Sequence, residues 1–304
     1  MKAPNALEHC VKKRTFAASL FQNRMIRIAI LDLYEGQRNE GMRCLREIIN
    51  QWSEYHQLDV AWDEFDVRQK CEVPDLSYDM FISSGGPGSP LDSIGSAWEA
   101  AYFRWFESVE AWNRNPHNTE KKYAFFICHS FQLLCRHYGI AEVSKRKSTS
   151  FGVFPVHVLL EGQHDPVFTG LPDPFYVVDS RDWQVVNPHF ERINKMGATV
   201  LCIEKYRPHV PYLQAMMGIR FNAYMVGTQF HPEADAIGMS MYLQTDEKKK
   251  SVIDNFGEEK WRSMIDQLND PDKIMYTYAH ILPNFLSIAV AHLQQVRAAT
   301  PVLA

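Results

Sequence analysis

Between residues 27 and 138, short apolar runs alternate with segments of helical spacing, and this rhythm constrains the fold more than any other feature of the chain. Arg27-Ile-Ala-Ile-Leu-Asp-Leu33 is apolar on both of its alternating faces, as expected of a strand buried within a parallel sheet. Residues 37–56 then carry Met42, Leu45, Ile48, Ile49 and Trp52 on one side of a helix. Residues 58–65 and 79–83 read as further strands and 95–112 as a helix, while 123–128 is a fourth strand leading into a helix over 129–138. Alternation of this kind specifies an α/β fold: a doubly wound, mostly parallel sheet flanked by helices.

From about residue 152 the pattern changes to closely spaced β segments at 152–160, 174–179, 198–204, 211–217 and 223–230. The chain then turns largely helical through 236–292, with mixed charge over 246–273 and an apolar stripe of Ile281, Leu282, Phe285, Ile288, Ala289 and Leu293. That stripe either packs on the body of the domain or forms a homodimer interface. The expected organisation is an N-terminal arm over 1–24, a catalytic domain over 25–240 and a helical extension over 241–304 packed on it.

Composition narrows the function. Apolar residues make up 46% of the 304 and charged residues 22%, enough for a well-buried core. A net charge of −4 offers no general attraction to nucleic acid or anionic membrane. No run reaches the roughly 18 apolar residues of a membrane span, and the basic N-terminus lacks an apolar stretch followed by a small-residue cleavage site. Six cysteines lie without C-x-x-C pairing or zinc-type spacing, which favours free thiols in the cytoplasm and no metal or other cofactor. Five of the six read as small buried hydrophobes.

Cys128 reads differently. In Phe125-Phe-Ile-Cys-His-Ser-Phe-Gln-Leu-Leu134 an apolar strand ends on the cysteine and a helix begins at once. A thiol there meets the free N–H groups and the positive end of the helix dipole, which favour thiolate. Two other loops fall at strand carboxyl ends, where doubly wound sheets hold their sites. Ser83-Ser-Gly-Gly-Pro-Gly-Ser-Pro90 can turn its N–H groups inward as an anion-binding nest, though it lacks the lysine and spacing of a phosphate loop. Gly227-Thr-Gln-Phe-His-Pro-Glu-Ala-Asp235 sets a carboxylate two residues beyond a histidine, and a histidine that activates a thiol needs such a partner to fix its tautomer. Taken singly, each segment has a plain alternative: a buried cysteine closing a core strand, a glycine turn with no function, and a surface His-Pro-Glu turn.

Taken together, Ser84-Gly-Gly-Pro-Gly, the strand ending on Cys128 with Gln132 four residues on, and Gly227-x-Gln-Phe-His-Pro-Glu233 resemble the class I glutamine amidotransferases over residues 27–235. The resemblance implies a glutaminase: Cys128 as nucleophile, His231 as base and Glu233 as its orienting group. It implies backbone donors from Gly86 and His129 for the oxyanion, a Gly85–Gly88 loop over the substrate, and Gln132 as a substrate contact; Ser180 and Arg181 are grouped with the substrate-binding residues. The implied substrate is L-glutamine or a related γ-glutamyl amide. The ammonia passes to a separate synthetase subunit or to no acceptor, since the roughly 70 residues after the family-like region are too few for a nucleotide-activating domain.

The family's elbow is G-x-C-x-G-x-Q, and here Phe126 and Ser130 replace the two glycines. The homoserine O-succinyltransferases, which share fold and triad, have a similar elbow, and Phe151-Gly-Val-Phe-Pro-Val-His157, Gly170-Leu171 and Asp179-Ser-Arg181 are also similar to that family. The glutamate and arginine expected there fall on Tyr242 and Thr245, which ranks acyl transfer second. A silent binding or regulatory module on the same fold is the third reading.

Overall fold

The computed structural model describes residues 24–206, 208–209, 213–268, 270 and 273–299. Apart from Arg24, the expected N-terminal arm lies outside the described residues, as do the first two residues of the strand expected over 211–217. The first half of the chain runs β1 (Ile26–Asp32), α1 (Gly41–Tyr55), β2 (Val60–Asp66), α2 (Val67–Lys70), β3 (Met80–Ser83), α3 (Ala97–Arg114), β4 (Tyr123–Ile127) and α4 (His129–Tyr138). The second runs β5 (Glu142–Val158), β6 (Phe175–Val186), α5 (Phe190–Met196), β7 (Thr199–Glu204), β8 (Met216–Asn222) and β9 (Met225–Thr228). Four helices follow: α6 (Ala236–Leu243), α7 (Asp246–Phe256), α8 (Glu258–Leu268) and α9 (Ile274–Ala299).

One nine-stranded sheet has the order β2-β1-β3-β4-β9-β8-β7-β5-β6. The β2-β1-β3-β4-β9 side pairs parallel, and every pairing from β9 through β8, β7 and β5 to β6 is antiparallel. The closely spaced β segments of the second half therefore form the antiparallel side of a mixed sheet. Its edge strand β6 curls back, so that Val178 bridges His231 just beyond β9.

Side-chain alternation along the strands builds two cores. Ile26, Ile28, Ile30, Met80, Ile82, Tyr123 and Phe125 face one way, onto the stripe of α1 anticipated from the sequence and onto α9. Ala29, Leu31, Phe81, Ala124 and Phe126 face the other way, onto α3 and α4. The α9 stripe thus covers the sheet rather than a second copy: Ile281, Leu282, Phe285, Ala289 and Leu293 are buried, and Trp52 Nε1 donates to Ser287 Oγ at 3.0 Å. By length and composition α9 could cross a membrane, but this face of it belongs to the core.

Local chemistry sets the helix ends. Ser96 caps α3 by accepting from the Glu99 N–H, and Gly139 closes α4 in the left-handed region. Sequence periodicity misjudges the β-rich half most. β5 begins at Glu142 instead of 152; its Ser144–Thr149 stretch is charged and polar, and its ladder with β6 is irregular between Lys145 and Ser150, so it carries no apolar alternation to read. The strands expected over 211–217 and 223–230 form at Met216–Asn222 and Met225–Thr228, joined where Asn222 Oδ1 accepts from Tyr224 N at 2.9 Å. Helix α5 has no counterpart in the sequence reading.

Candidate active site

Cys128 stands between β4 and α4 with φ +47° and ψ −95°, a conformation that non-glycine residues adopt only under constraint. The constraint is visible. Its N–H donates to the Thr228 carbonyl at 2.8 Å, tying the elbow to β9, and its carbonyl accepts from Gln132 N at 3.0 Å. Ser130 Oγ accepts from Ile127 N at 2.8 Å and lies 2.9 Å from the Ser83 carbonyl and 3.0 Å from that of Ile127. Ser130 therefore occupies the second glycine position of the family motif as a brace, bridging the elbow to the end of β3. The Phe126 ring turns away from the sulfur, into the second core beside Phe106 and Phe221.

The glycine loop after β3 is pinned from below. Ser84 Oγ accepts from Leu33 N at 2.9 Å and donates to the Gly85 carbonyl at 2.8 Å. Arg68 Nη1 donates to the Pro87 carbonyl at 2.7 Å, and the guanidinium pairs with Glu35 at 2.8 Å. Two glycines here are required by contact. A Cβ on Gly85 would lie 2.8 Å from His231 Cε1, and one on Gly86 would lie 2.4 Å from the Leu33 carbonyl oxygen. Gly88, at φ +83°, completes the turn.

His231 enters from beyond β9, its N–H donating to the Val178 carbonyl at 2.9 Å. Its Nδ1 lies 2.8 Å from Glu233 Oε1; a carboxylate accepts, so Nδ1 carries the proton and Nε2 is left for the Cys128 sulfur. Burial alone would lower the imidazole's proton affinity. The Glu233 carboxylate and the Cys128 sulfur outweigh it, and the net displacement is well upward. Glu233 is 1% exposed and its second oxygen has no partner among the described residues. Two residues on, Asp235 Oδ1 caps α6 through Gly238 N and pairs with Arg43 at 2.8 Å.

His129 is buried at the first position of α4, and burial, then the Arg68 charge, press its ionisation down to about 3, so the ring is neutral. Gln132 is buried beside the thiol: its Nε2 donates to the Trp183 carbonyl and to Gln229 Oε1, both at 3.2 Å. Arg181 lies inside the molecule, its Nε 2.8 Å from Asp179 Oδ1 and its Nη2 3.6 Å from Glu204. Its charge is therefore committed to a buried ion pair. Ser180 points to the other face of β6 and is exposed. The structure thus gathers Cys128, His129, Gln132, His231, Glu233 and Gly85 at the carboxyl ends of the parallel strands, with Arg181 below them.

Two residues at the site escape a sequence reading. Gln229 Nε2 lies 3.6 Å from Cys128 Sγ, although only its place inside the Gly-Thr-Gln-Phe-His-Pro-Glu segment marked it. The Tyr34 hydroxyl sits close to where a Gly85 side chain would go, and burial, then Glu233 and Cys128, hold it protonated. An Asp-Leu-Tyr-Glu run after a strand carries nothing that would single it out.

A strained cysteine at a helix N-terminus, beside a histidine–carboxylate pair on a doubly wound sheet, defines an α/β protein with a thiol site. The family model for class I glutamine amidotransferases matches residues 38–244, and the chain belongs to that family. Among solved structures, it is similar to a glutamine amidotransferase from Thermotoga maritima at 16% identity and a TM-score of 0.60, covering 88% of this chain and 99% of that one. It is also similar to the glutaminase domain of Trypanosoma brucei CTPS with bound acivicin, at 14% identity and a TM-score of 0.52 over 88% of this chain and 94% of that one. A glutamine amidotransferase from Methylobacillus flagellatus aligns at 13% identity and a TM-score of 0.52, over 86% and 94%. At these identities the likeness establishes the fold. A comparison with curated proteins finds no match.

Proposed function

We propose that this protein hydrolyses the side-chain amide of glutamine, or of a related γ-glutamyl compound, through a cysteine thioester and releases ammonia. The observation that carries the reading is the strained Cys128 at the start of α4, electrostatically coupled to a histidine whose Nδ1 lies 2.8 Å from Glu233. In this reading His231 Nε2 takes the thiol proton and the sulfur attacks the amide carbon. The backbone N–H groups of Gly86 and His129 stabilise the resulting oxyanion; one such donor is typically worth about 10²–10³ in rate. His231 then returns the proton to the leaving nitrogen, the C–N bond breaks and ammonia departs. Water, deprotonated by His231, attacks the thioester and frees the acid and the thiol.

Glu233 keeps the imidazole in the productive tautomer throughout. Gln132 contacts the substrate, with the Gly85–Gly88 loop above it. Arg181, committed to Asp179 and Glu204, acts as a fixed positive charge beneath the site. The ammonia is delivered to a separate synthetase subunit or released to water.

The test is mass spectrometry of the intact protein and its peptides after incubation with a glutamine-like diazo-ketone electrophile. A single adduct on Cys128, prevented by excess glutamine and missing from Cys128→Ala, is expected. A folded protein that forms no adduct overturns the assignment and directs the search to acyl transfer, with succinyl-CoA and homoserine as the next substrates.

A further inference from the structure

The mechanism above leaves the Gln229 side chain unused, although it is fully buried against the thiol. Its Nε2 lies 3.6 Å from Cys128 Sγ and its Oε1 lies 3.2 Å from Gln132 Nε2. Gln132 Nε2 in turn lies 3.2 Å from the Trp183 carbonyl. A backbone carbonyl only accepts, so Gln132 must present its NH₂ group to Trp183. The same NH₂ faces Gln229, which must answer with its oxygen. The amide nitrogen of Gln229 is thereby turned to the sulfur. One carbonyl on β6 fixes the orientation of two amides in sequence, which removes the usual ambiguity between amide oxygen and nitrogen. The backbone beneath is held as firmly: Gln229 N donates to the Met217 carbonyl at 2.9 Å, and the preceding carbonyl, of Thr228, receives the Cys128 N–H at 2.8 Å.

We propose that Gln229 is a catalytic residue whose side-chain N–H stabilises the Cys128 sulfur as thiolate, with Gln132 as the positioning residue that aims it. The proposal rests on the reading of Cys128 as the nucleophile. A thiolate is a full acceptor, whereas a thiol sulfur is a weak one, so a fixed N–H donor favours the ionised form. The thiol proton goes to His231 Nε2, and Gln229 contributes a donor that does not titrate. The bond weakens as charge leaves the sulfur during attack. Gln229 thus raises the thiolate population at some cost in intrinsic nucleophilicity.

Alkylation by iodoacetamide between pH 5 and 9 tests this in the full chain, with the Cys128 peptide followed by mass spectrometry so that Cys71 and the other thiols do not interfere. Gln229→Glu removes the donor and sets a carboxylate against the sulfur. The pH of half-maximal alkylation is expected to move up by about one unit, which slows the reaction of Cys128 by up to roughly tenfold at pH values below that midpoint. Gln229→Met keeps the volume without the donor and is expected to give a smaller change in the same direction. Gln132→Met, which leaves Gln229 in place but free to turn, follows in that direction and decides the matter if the Gln229 variants do not fold. Profiles superimposable on the parent in folded variants overturn the proposal. Because alkylation needs no glutamine, failure of glutamine to protect Cys128 from the diazo-ketone would count against the proposed function while these profiles still judge Gln229.

Discussion

The Cys128 elbow and the His231–Glu233 turn follow neighbouring parallel strands, β4 and β9, yet different interactions hold them. At the elbow the partners are neutral: the Ser130 hydroxyl, the backbone groups of Ile127 and Ser83, and the Thr228 carbonyl. At the turn they are charged. Glu233 holds His231, Asp235 reaches Arg43, and Arg43 is also bound to Glu40 and Glu47 at 2.6 and 2.7 Å. The strained backbone of the nucleophile, a cost on the order of 1–3 kcal/mol, is met by bonds that neither salt nor neutral-range pH affects. The base is positioned by charge: the His231–Glu233 pair is too buried for salt to screen it much, while the part-exposed Arg43 network beyond it lies within reach of salt. Stiffness is placed where a sulfur must stay put, and charge where a proton must move.

The largest break in this comparison is Cys128→Ala, which is expected to abolish glutamine turnover without loss of fold; retained turnover would remove the cysteine from the chemistry. Glu233→Gln should lower kcat by roughly 10²-fold or more by loosening the histidine tautomer, without abolishing activity. Steady-state kinetics that change KM alone would contradict that role.

On the neutral side, Ser130→Ala would strand the Ile127 N–H and the Ser83 carbonyl. A stability loss of about 1–3 kcal/mol by urea unfolding is expected, at the same value in low and high salt. A salt-dependent loss would mean that the elbow is held electrostatically after all.

His129 sharpens the comparison through pH. Its folded value of about 3 lies below the ordinary 6.5, so between those values the unfolded chain binds the extra proton. From that residue, stability falls by about 1.4 kcal/mol for each pH unit below 6.5. His129→Gln should lose less stability than the parent between pH 6.5 and 4.5; equal losses would exclude this histidine as a source of acid sensitivity. The smallest effect expected is Arg43→Met, about 1 kcal/mol and eroded by salt, read as the difference in urea midpoints at two ionic strengths.

Much of this was legible in the sequence because it is local. Short apolar runs marked the strands of the parallel half, and the face of α1 appeared as Met42, Leu45, Ile48, Ile49 and Trp52, to which the structure adds Cys44. The strand–cysteine–helix junction is enough by itself to put the thiol at a helix N-terminus. The β-rich half was harder: the polar start of β5 and the bulged ladders carry no clean period, and pairing between distant segments decides them.

By itself, then, the sequence determined the α/β alternation, the three loops at strand carboxyl ends and the identity of the residues on them. Only the tertiary structure decided which way those residues face. Ser130 braces Ser83 across 47 positions, Arg43 reaches Asp235 across 192, and Gln229 meets Cys128 across 101. Ser180 and Arg181 take opposite faces of β6, as neighbours in a strand must, but strand pairing decides that the arginine's face is the buried one, against Asp179. Hydrogen bonds and ion pairs act over a few ångströms in space whatever the distance along the chain, so periodicity, which reports only on near neighbours, carries no record of them.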